Sequence, residues 1–477
     1  MEIGIKHKTK VATYWQFLNQ FANYGMQFII GIVMARLLSP EDYGITALPS
    51  VIYAIAGICI EGAFGSALIR KTEIKEEDLS TAFYYSQAVG VVCYILLFVG
   101  APWIASFFEI PILTSLTRVT ALSFLWVGFM TPQGVILTRK LDFRTPTIIA
   151  IISKLLMGIV GISMAYLGYG VWALAVSTVF SSFVTVLLTV CFVKWIPKTG
   201  WSKESFRYLW EFGNKMIATL LIDRVYMNIA PLVIGKFFSP TQLGEYNRAQ
   251  GYAELPAQQF TNLLHGVTYP VLSKMQDDLD VLRNSYRRML RLCAFVMFPL
   301  MILLALLAKP LIVAMVTEKW IACVPYLQLM CIAMMWYPIH SINLALLLVK
   351  GRSDLFLKLE ILKKTMGIIL MAASLPFGII PFLIGTIIHS LICLLINTYY
   401  TGKIIDLGFL KQMKDIMPVF LLCTLMAAIV YLSLSLFTNI YVQLFGGGIL
   451  GLGVFVLFSY ILKFPELEDV KYMLSRR

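Results

Sequence analysis

Hydrophobic runs of roughly 20 or more residues recur from end to end of the 477-residue chain, separated by short polar segments. Each run is long enough to cross the ~30 Å hydrocarbon core of a bilayer as a helix. The pattern therefore predicts an all-α polytopic membrane protein with about fourteen transmembrane helices. The predicted spans are 11–37, 45–69, 79–107, 112–137, 146–167, 169–192, 212–234, 243–271, 289–307, 321–349, 356–377, 379–400, 416–437 and 440–462.

The charged residues support this reading, because most of the 39 Lys and Arg residues fall in every second loop. The cation-rich segments are the N-terminus, 70–75, 139–144, 194–207, 274–291, 350–364, 403–414 and the C-terminal tail. Cytoplasmic loops gather Lys and Arg in this way, so we expect an inner-membrane protein with both termini in the cytoplasm. The net charge of +13 forms no single patch, which argues against nucleic-acid binding.

One internal repeat is visible. The sequence RLLSP at 36–40, followed by Gly44, matches KFFSP at 236–240, followed by Gly244. Six predicted helices separate the copies, so both have the same orientation. We therefore predict two six-helix bundles (1–197 and 198–412) related by a pseudo-two-fold axis along the membrane normal, plus two C-terminal helices (413–477). The alternative is that Ser-Pro is simply a common helix-end signal.

Two predicted helices carry polar stripes at three- and four-residue spacing, which places each stripe on one helix face. The first stripe consists of Gln16, Asn19, Gln20, Asn23 and Gln27, and the second of Lys215, Thr219 and Asp223. We expect the stripes to face a wet cavity, where the amides of the first would hydrogen-bond sugar hydroxyls. The alternative is a dry helix–helix contact joined by amide hydrogen bonds.

Cations within predicted spans are the second group of candidates. Lys154, Lys215 and Arg224 are the deepest, and three converging cations would suit a pyrophosphate. Arg118 and Arg248 lie nearer the predicted outer face and are weaker candidates for the same ligand. The alternative for the two lysines is that their long side chains extend to the cytoplasmic surface.

Other residues suggest coupling and gating. Glu61, Asp223 and Glu254 are candidate carboxylates for a coupling ion, and Pro256 could bend a polar helix that acts as a gate. His265, His340 and His389 could relay protons, although hydrogen-bonded structural histidines are the commoner case. The stretch 198–212 is predicted to form an amphipathic surface helix that leads into the seventh span.

The chain shows no nucleophile elbow, Gly-rich phosphate loop or metal-ligand spacing, and its eight cysteines are isolated in apolar runs. We therefore predict no cofactor, no metal and no enzyme activity. An ion gradient or the substrate gradient would have to drive transport.

Several motifs in order resemble one family. They are ARLLSPEDYG at 35–44, ALIRK at 67–71, LSTAF at 79–83, RKLDFR at 139–144, GYGVWAL at 168–174, LGEYNRAQ at 243–250, YPVLSKMQD at 269–277 and EKW at 318–320. Together they resemble Wzx-type polysaccharide or O-antigen flippases. The likeness is to the branch of colanic-acid and teichuronic-acid exporters in the multidrug/oligosaccharidyl-lipid/polysaccharide superfamily.

The resemblance implies transfer of an undecaprenyl-pyrophosphate-linked oligosaccharide from the cytoplasmic to the periplasmic leaflet by alternating access. Membrane lipids, a glycan polymerase and a chain-length regulator would be partners. Three alternatives stay open: a drug or cation exporter of the same superfamily, a membrane glycan polymerase or glycosyltransferase, and a membrane scaffold. Such exporters usually have twelve helices, and such polymerases usually carry a long periplasmic loop.

Overall fold

The structure, a computed structural model, describes the backbone of residues 2–62 and 64–475. The side chains of residues 1–13, 16, 17, 265, 267 and 473–477 lie outside the described part, and these include the predicted candidates Gln16 and His265. All regular elements in the described part are helical. The chain divides into two compact units, Met1–Gly244 and Glu245–Arg477.

The first unit is built from nine helices, and a tenth begins at its end. They are α1 (Glu2–Leu37), α2 (Pro40–Glu61), α3 (Phe64–Arg70), α4 (Glu76–Phe108), α5 (Leu113–Ala121), α6 (Met130–Arg139), α7 (Arg144–Tyr166), α8 (Val171–Val193), α9 (Lys203–Phe237) and α10 (Pro240–Ser273). Short 3₁₀ turns at Leu122–Leu125 and Val127–Phe129 join α5 to α6.

The second unit contains the remainder of α10 and nine further helices. They are α11 (Leu279–Leu306), α12 (Ala308–Val316), α13 (Cys323–Met334), α14 (Tyr337–Val349), α15 (Ser353–Ser374), α16 (Ile379–Ile405), α17 (Phe409–Leu434), α18 (Gly447–Ile461) and α19 (Pro465–Ser475). A turn of π-helix, Val442–Gly446, leads into α18.

Within the described residues, eleven helical segments are long and apolar enough to cross a membrane. The all-α multi-pass character is thereby confirmed, while the number fourteen stays a prediction. The three predicted spans outside this set coincide with α1, α10 and α15, which are helices of 36, 34 and 22 residues. Part of α1 lies outside the described side chains, and α10 and α15 carry many polar or charged residues.

The two copies of the sequence repeat form the same local structure. Ser39 caps α2, because its Oγ accepts a hydrogen bond from the Asp42 amide at 3.2 Å and its own amide donates to the Asp42 carboxylate at 2.9 Å. Ser239 caps α10 in the same way with Gln242, at 3.2 Å in both directions. Each pair forms a reciprocal capping box with proline as the first helical residue.

The repeats also contact each other. A Cβ added to Gly44 would overlap the carbonyl oxygen of Pro240, and one added to Gly244 would overlap the carbonyl oxygen of Pro40. Each added Cβ would also lie 3.0 Å from the amide nitrogen of the opposite glycine. The first turns of α2 and α10 therefore cross backbone to backbone about a local two-fold axis, a contact that only glycine permits at both positions.

The amphipathic stretch predicted as a surface helix differs from the expectation. From Lys203 onward it forms the first turns of α9, which runs without a break to Phe237. Leu209 is fully buried in a cluster with Phe64, and the Phe206 ring centroid lies 6.3 Å from that of Phe64. The apolar face therefore packs into the first unit, because burial against neighbouring aromatic rings competes with placement at the headgroups.

Candidate functional site

The polar stripe of α1 lies along the helix pair α1 and α7. The two helices pack closely, because a Cβ added to Gly158 of α7 would lie 2.9 Å from the Ile30 side chain. The ammonium group of Lys154 donates a hydrogen bond of 3.2 Å to the Gln27 side-chain oxygen. Lys154 lies about 15 Å along the axis from the start of α7, so this bond is near mid-helix. The structure thus places the Lys154 ammonium beside the α1 stripe.

Within the stripe, the Asn23 amide donates to the Asn19 side-chain oxygen at 2.5 Å and to its backbone carbonyl at 2.9 Å. Asn19 and Asn23 are half-buried, while Gln20 and Gln27 are exposed. The pair leaves donors and acceptors at its edge, as a surface that binds hydroxyl groups needs.

The two remaining deep cations are in α9, where Lys215 belongs to the predicted stripe and Arg224 directly follows its last residue. Lys215 is exposed, and no described side chain forms a hydrogen bond or ion pair with its ammonium group. Thr219 points back along the helix and donates to the Lys215 carbonyl at 3.1 Å. The Asn228 amide donates to the Arg224 carbonyl at 2.7 Å. Asp223 is half-buried.

A helix break that was not predicted from the sequence lies against α9. Helix α2 ends at Glu61, Gly62 adopts a left-handed conformation (φ 61°), and α3 begins at Phe64. Gly213 of α9 packs against the break, because a Cβ there would lie 2.7 Å from the Gly62 carbonyl oxygen. Helix interruptions within membrane proteins often line substrate sites, since they expose backbone polar groups. The glycines at positions 62 and 213 were the sequence signal that could have indicated this break.

The carboxylate of Glu61, at the end of α2, lies within electrostatic range of the Arg224 guanidinium. The first unit therefore contains one hydrogen-bonded pair, Lys154 with Gln27, and a longer-range electrostatic interaction between Arg224 and Glu61. Convergence of Lys154, Lys215 and Arg224 on one pyrophosphate stays a prediction.

Arg118 is engaged in helix packing. Its Nε donates to the Phe98 carbonyl at 3.1 Å, and its guanidinium lies 4.5 Å from the centroid of the Phe98 ring. Both contacts join α5 to α4 and use the Nε–H and one face of the guanidinium.

The remaining predicted residues lie on α10 in the second unit. The Arg248 guanidinium lies 4.9 Å from the Trp320 ring centroid. The Glu254 carboxylate accepts hydrogen bonds from Gln250 at 2.6 Å and Gln258 at 2.9 Å. Helix α10 continues through Pro256. The gating role of Pro256 and the coupling role of Glu254 are therefore untested by these contacts.

Two of the predicted histidines take part in a polar network inside the second unit. The His340 ring lies 3.1 Å from the Ser390 hydroxyl, and the His389 ring lies 2.8 Å from the Lys363 carbonyl oxygen. Lys363 itself is only 8% exposed and pairs with Glu360 at 2.5 Å. The sequence analysis missed this buried lysine, since it lies in a cation-rich segment that was interpreted as a loop and helix end.

Comparison with known proteins is consistent with this architecture. The polysaccharide biosynthesis protein family matches residues 33–325. The teichuronic acid biosynthesis protein TuaB of Bacillus subtilis (strain 168) is 29% identical over 390 residues, which cover 80% of this chain and 80% of that protein. The lipopolysaccharide biosynthesis protein WzxC of Escherichia coli (strain K12) is 23% identical over 402 residues, covering 83% of this chain and 80% of that protein.

A solved structure of the lipid II flippase MurJ, in an inward closed conformation, has a TM-score of 0.75 and 19% sequence identity. The match covers 94% of this chain and 98% of that chain, which confirms the all-α polytopic fold. Because the family match extends over more than half of the sequence, the chain belongs to the polysaccharide biosynthesis protein family, and its resemblance to Wzx-type proteins is confirmed.

Proposed function

We propose that this protein is a flippase for undecaprenyl-pyrophosphate-linked oligosaccharide, which it moves from the cytoplasmic to the periplasmic leaflet by alternating access. The product would serve synthesis of a surface polysaccharide such as O-antigen, capsule or exopolysaccharide. Membership of the polysaccharide biosynthesis family supports the substrate class. The polytopic fold, shared with a lipid II flippase, supports the transport step.

The observation that carries the proposal is the exposed Lys215 ammonium on the polar stripe of α9. It lies three residues, or about 5 Å along the axis, inside the predicted span 212–234. At the centre of a span an uncompensated lysine costs roughly 2.5–3.5 kcal/mol, so lysines within spans are typical of functional sites. A pyrophosphate is an anion that would compensate this charge.

The pairing of Lys154 with Gln27 supports a neighbouring role in recognition. The amide keeps the ammonium group on the α1 side of α7, next to Asn19 and Asn23. In the proposal the cation attracts phosphate oxygen while the amides exchange hydrogen bonds with sugar hydroxyls. Gln20 and Gln27 extend the same surface.

The coupling ion is proposed to act at carboxylates already named. Glu61 faces Arg224, so a change in its protonation would alter the net charge beside the α2 break. Asp223 and Glu254 are further candidates, and bending at Pro256 is the proposed gate.

We also propose that the protein lies in the bacterial inner membrane with both termini in the cytoplasm. The alternation of Lys and Arg between loops supports this orientation. A glycan polymerase and a chain-length regulator are proposed partners, since a translocated repeat unit must be polymerised on the periplasmic side.

The test is the leaflet distribution of undecaprenyl-pyrophosphate oligosaccharide in cells that express Lys215→Gln as the sole copy. We expect the complete repeat unit to accumulate on the cytoplasmic side, with translocation reduced roughly tenfold or more by loss of one charge-assisted phosphate contact. Lys203→Gln is the matched control, because it removes an exposed charge at the start of the same helix. It should leave translocation unchanged.

Depletion of the whole protein distinguishes the other functions. Normal translocation with unpolymerised units in the periplasm would identify a polymerase instead. No change in either pool would identify an exporter of another compound, and equal activity of Lys215→Gln and Lys203→Gln would remove Lys215 from the site.

A further inference from the structure

A cavity of about 970 Å³ lies in the second unit, at the cation-rich ends of its helices. It is bounded by the start of α11, the start of α17 and the segment that joins α18 to α19. The distribution of Lys and Arg predicts that this end of the unit faces the cytoplasm. The cavity would therefore lie where the inner leaflet meets water, and its lining includes none of the residues assigned to oligosaccharide binding.

The lining has two kinds of residue. Every described residue that lines the cavity is either charged or apolar, and this lining includes no Ser, Thr, Asn, Gln or Tyr. The cations are Arg283, Arg287, Arg291, Lys411, Lys414 and Lys463. Leu421, Leu425 and Leu462 contribute apolar surface that is largely exposed. Charged groups and an apolar wall in one cavity match an amphiphile with a small charged head.

Most of the cations are already compensated. Arg287 forms two hydrogen bonds with Asp415, at 2.7 and 2.5 Å, and that carboxylate is buried. The Arg291 side chain pairs with Glu466 at 3.1 Å. These contacts fix the guanidinium groups along one wall of the cavity, so their positions do not depend on a ligand.

An ion pair and a hydrogen bond lie at the opposite rim of the cavity. Lys411 pairs with Asp406 at 2.8 Å, and the Arg283 Nε donates to the Ile405 carbonyl at 2.5 Å. Lys411 also holds the pKa of the Asp406 carboxyl below its usual value, by a hydrogen bond first and by charge attraction second.

Two cations of the cavity lining have no compensating anionic group in the described part of the chain. Lys414 and Lys463 are exposed, and neither ammonium group forms a hydrogen bond or ion pair with a described residue. Lys463 has a left-handed backbone (φ 55°), a conformation uncommon for lysine, and this lies at the α18 end that borders the cavity. The cavity thus has surplus positive charge at its rim and apolar surface beneath it.

We propose that this cavity binds an anionic glycerophospholipid of the inner leaflet, with its phosphodiester at Lys414 and Lys463 and an acyl chain along Leu421 and Leu425. Basic residues near a membrane surface attract anionic headgroups. The proposal does not depend on the flippase activity.

Native mass spectrometry of the full-length protein, titrated with phosphatidylglycerol or phosphatidylcholine, tests the site. The variant Lys414→Gln/Lys463→Gln should bind phosphatidylglycerol about ten- to thirtyfold more weakly than the unmodified protein. The matched control, Lys274→Gln/Lys358→Gln, removes two exposed lysines of the same unit outside the cavity and should bind normally. Weak phosphatidylcholine binding by all three proteins would support a charge-selective site.

Equal binding of phosphatidylglycerol by the two double variants would overturn the proposal. A competition arm separates the two sources of lipid phosphate. If undecaprenyl-pyrophosphate oligosaccharide displaces phosphatidylglycerol from the unmodified protein, the cavity belongs to the transported lipid and the assignment is wrong. Retention of phosphatidylglycerol in its presence supports a separate phospholipid site.

Discussion

The crossing of α2 and α10 can be tested by adding one methyl group. In Gly44→Ala the new Cβ would overlap the Pro240 carbonyl oxygen, which belongs to the backbone of a capped helix and cannot rotate away. The two helix starts must therefore separate. Gly44→Ala should destabilise the first unit, although alanine is the better helix former.

The expected loss of stability in Gly44→Ala follows from the close approach of residue 44 to the Pro240 carbonyl oxygen. Overpacking typically costs about 1–3 kcal/mol, and a clash with backbone should lie at the upper end of that range. For a domain of 150–250 residues, a loss of about 3 kcal/mol lowers the melting temperature by roughly 6–12 °C. Gly57, in the same helix, has no atom within 4 Å of an added Cβ, so Gly57→Ala should change stability by less than about 1 kcal/mol.

Thermal unfolding of purified protein in one detergent measures both variants. The reciprocal change, Gly244→Ala, has its own control in Gly251→Ala on α10, where an added Cβ meets no atom within 4 Å. The double variant Gly44→Ala/Gly244→Ala should lose less stability than the sum of the single variants, because one separation relieves both clashes. A melting temperature for Gly44→Ala equal to that of Gly57→Ala would refute the crossing.

Three further predictions concern charged groups. Lys154→Gln should slow oligosaccharide translocation by about tenfold while the melting temperature changes little, since the hydrogen bond from Lys154 to Gln27 is exposed. A large loss of stability would contradict a role for Lys154 in transport alone. Arg118→Gln should leave translocation unchanged in the leaflet assay and lower the free energy of unfolding by about 1 kcal/mol, because the Arg118 contacts join α4 and α5. Loss of transport in this variant would instead assign Arg118 to the substrate site. Lys363→Met should lower the free energy of unfolding by about 2–4 kcal/mol, because it leaves Glu360 unpaired. Adding Glu360→Gln should recover part of that loss in thermal unfolding, and no recovery would argue against the ion pair.

The repeat shows what a single sequence can predict. Ser39-Pro40 and Ser239-Pro240 share residue types whose chemistry is local, since the cap needs only the next three residues. Both segments form the same capped helix start, while the arrangement of two six-helix bundles stays a prediction. Their direct contact was not predictable, because it depends on how residues far apart in the chain pack together.

The candidate site was predictable to a smaller extent. The polar stripe of α1 follows from helical spacing, and Asn19 and Asn23 do lie together. Whether Lys154 extends to the surface or bonds to another helix depends on Gln27, which lies on a different helix. Likewise, one glycine within an apolar run does not establish that α2 ends at Glu61, since an isolated glycine is tolerated in many helices.

Because α9 packs within the first unit, the position at which the gene is divided into two fragments should affect folding. The internal repeat suggests cutting the gene near residue 197, which would separate α9 from the aromatic residues that surround Leu209. A fragment that ends at residue 244 retains that helix and the paired glycines at the α2 and α10 starts. Co-expression of complementary fragments split after 244 should therefore yield more folded protein than a split at 197, even though the latter follows the predicted bundle boundary.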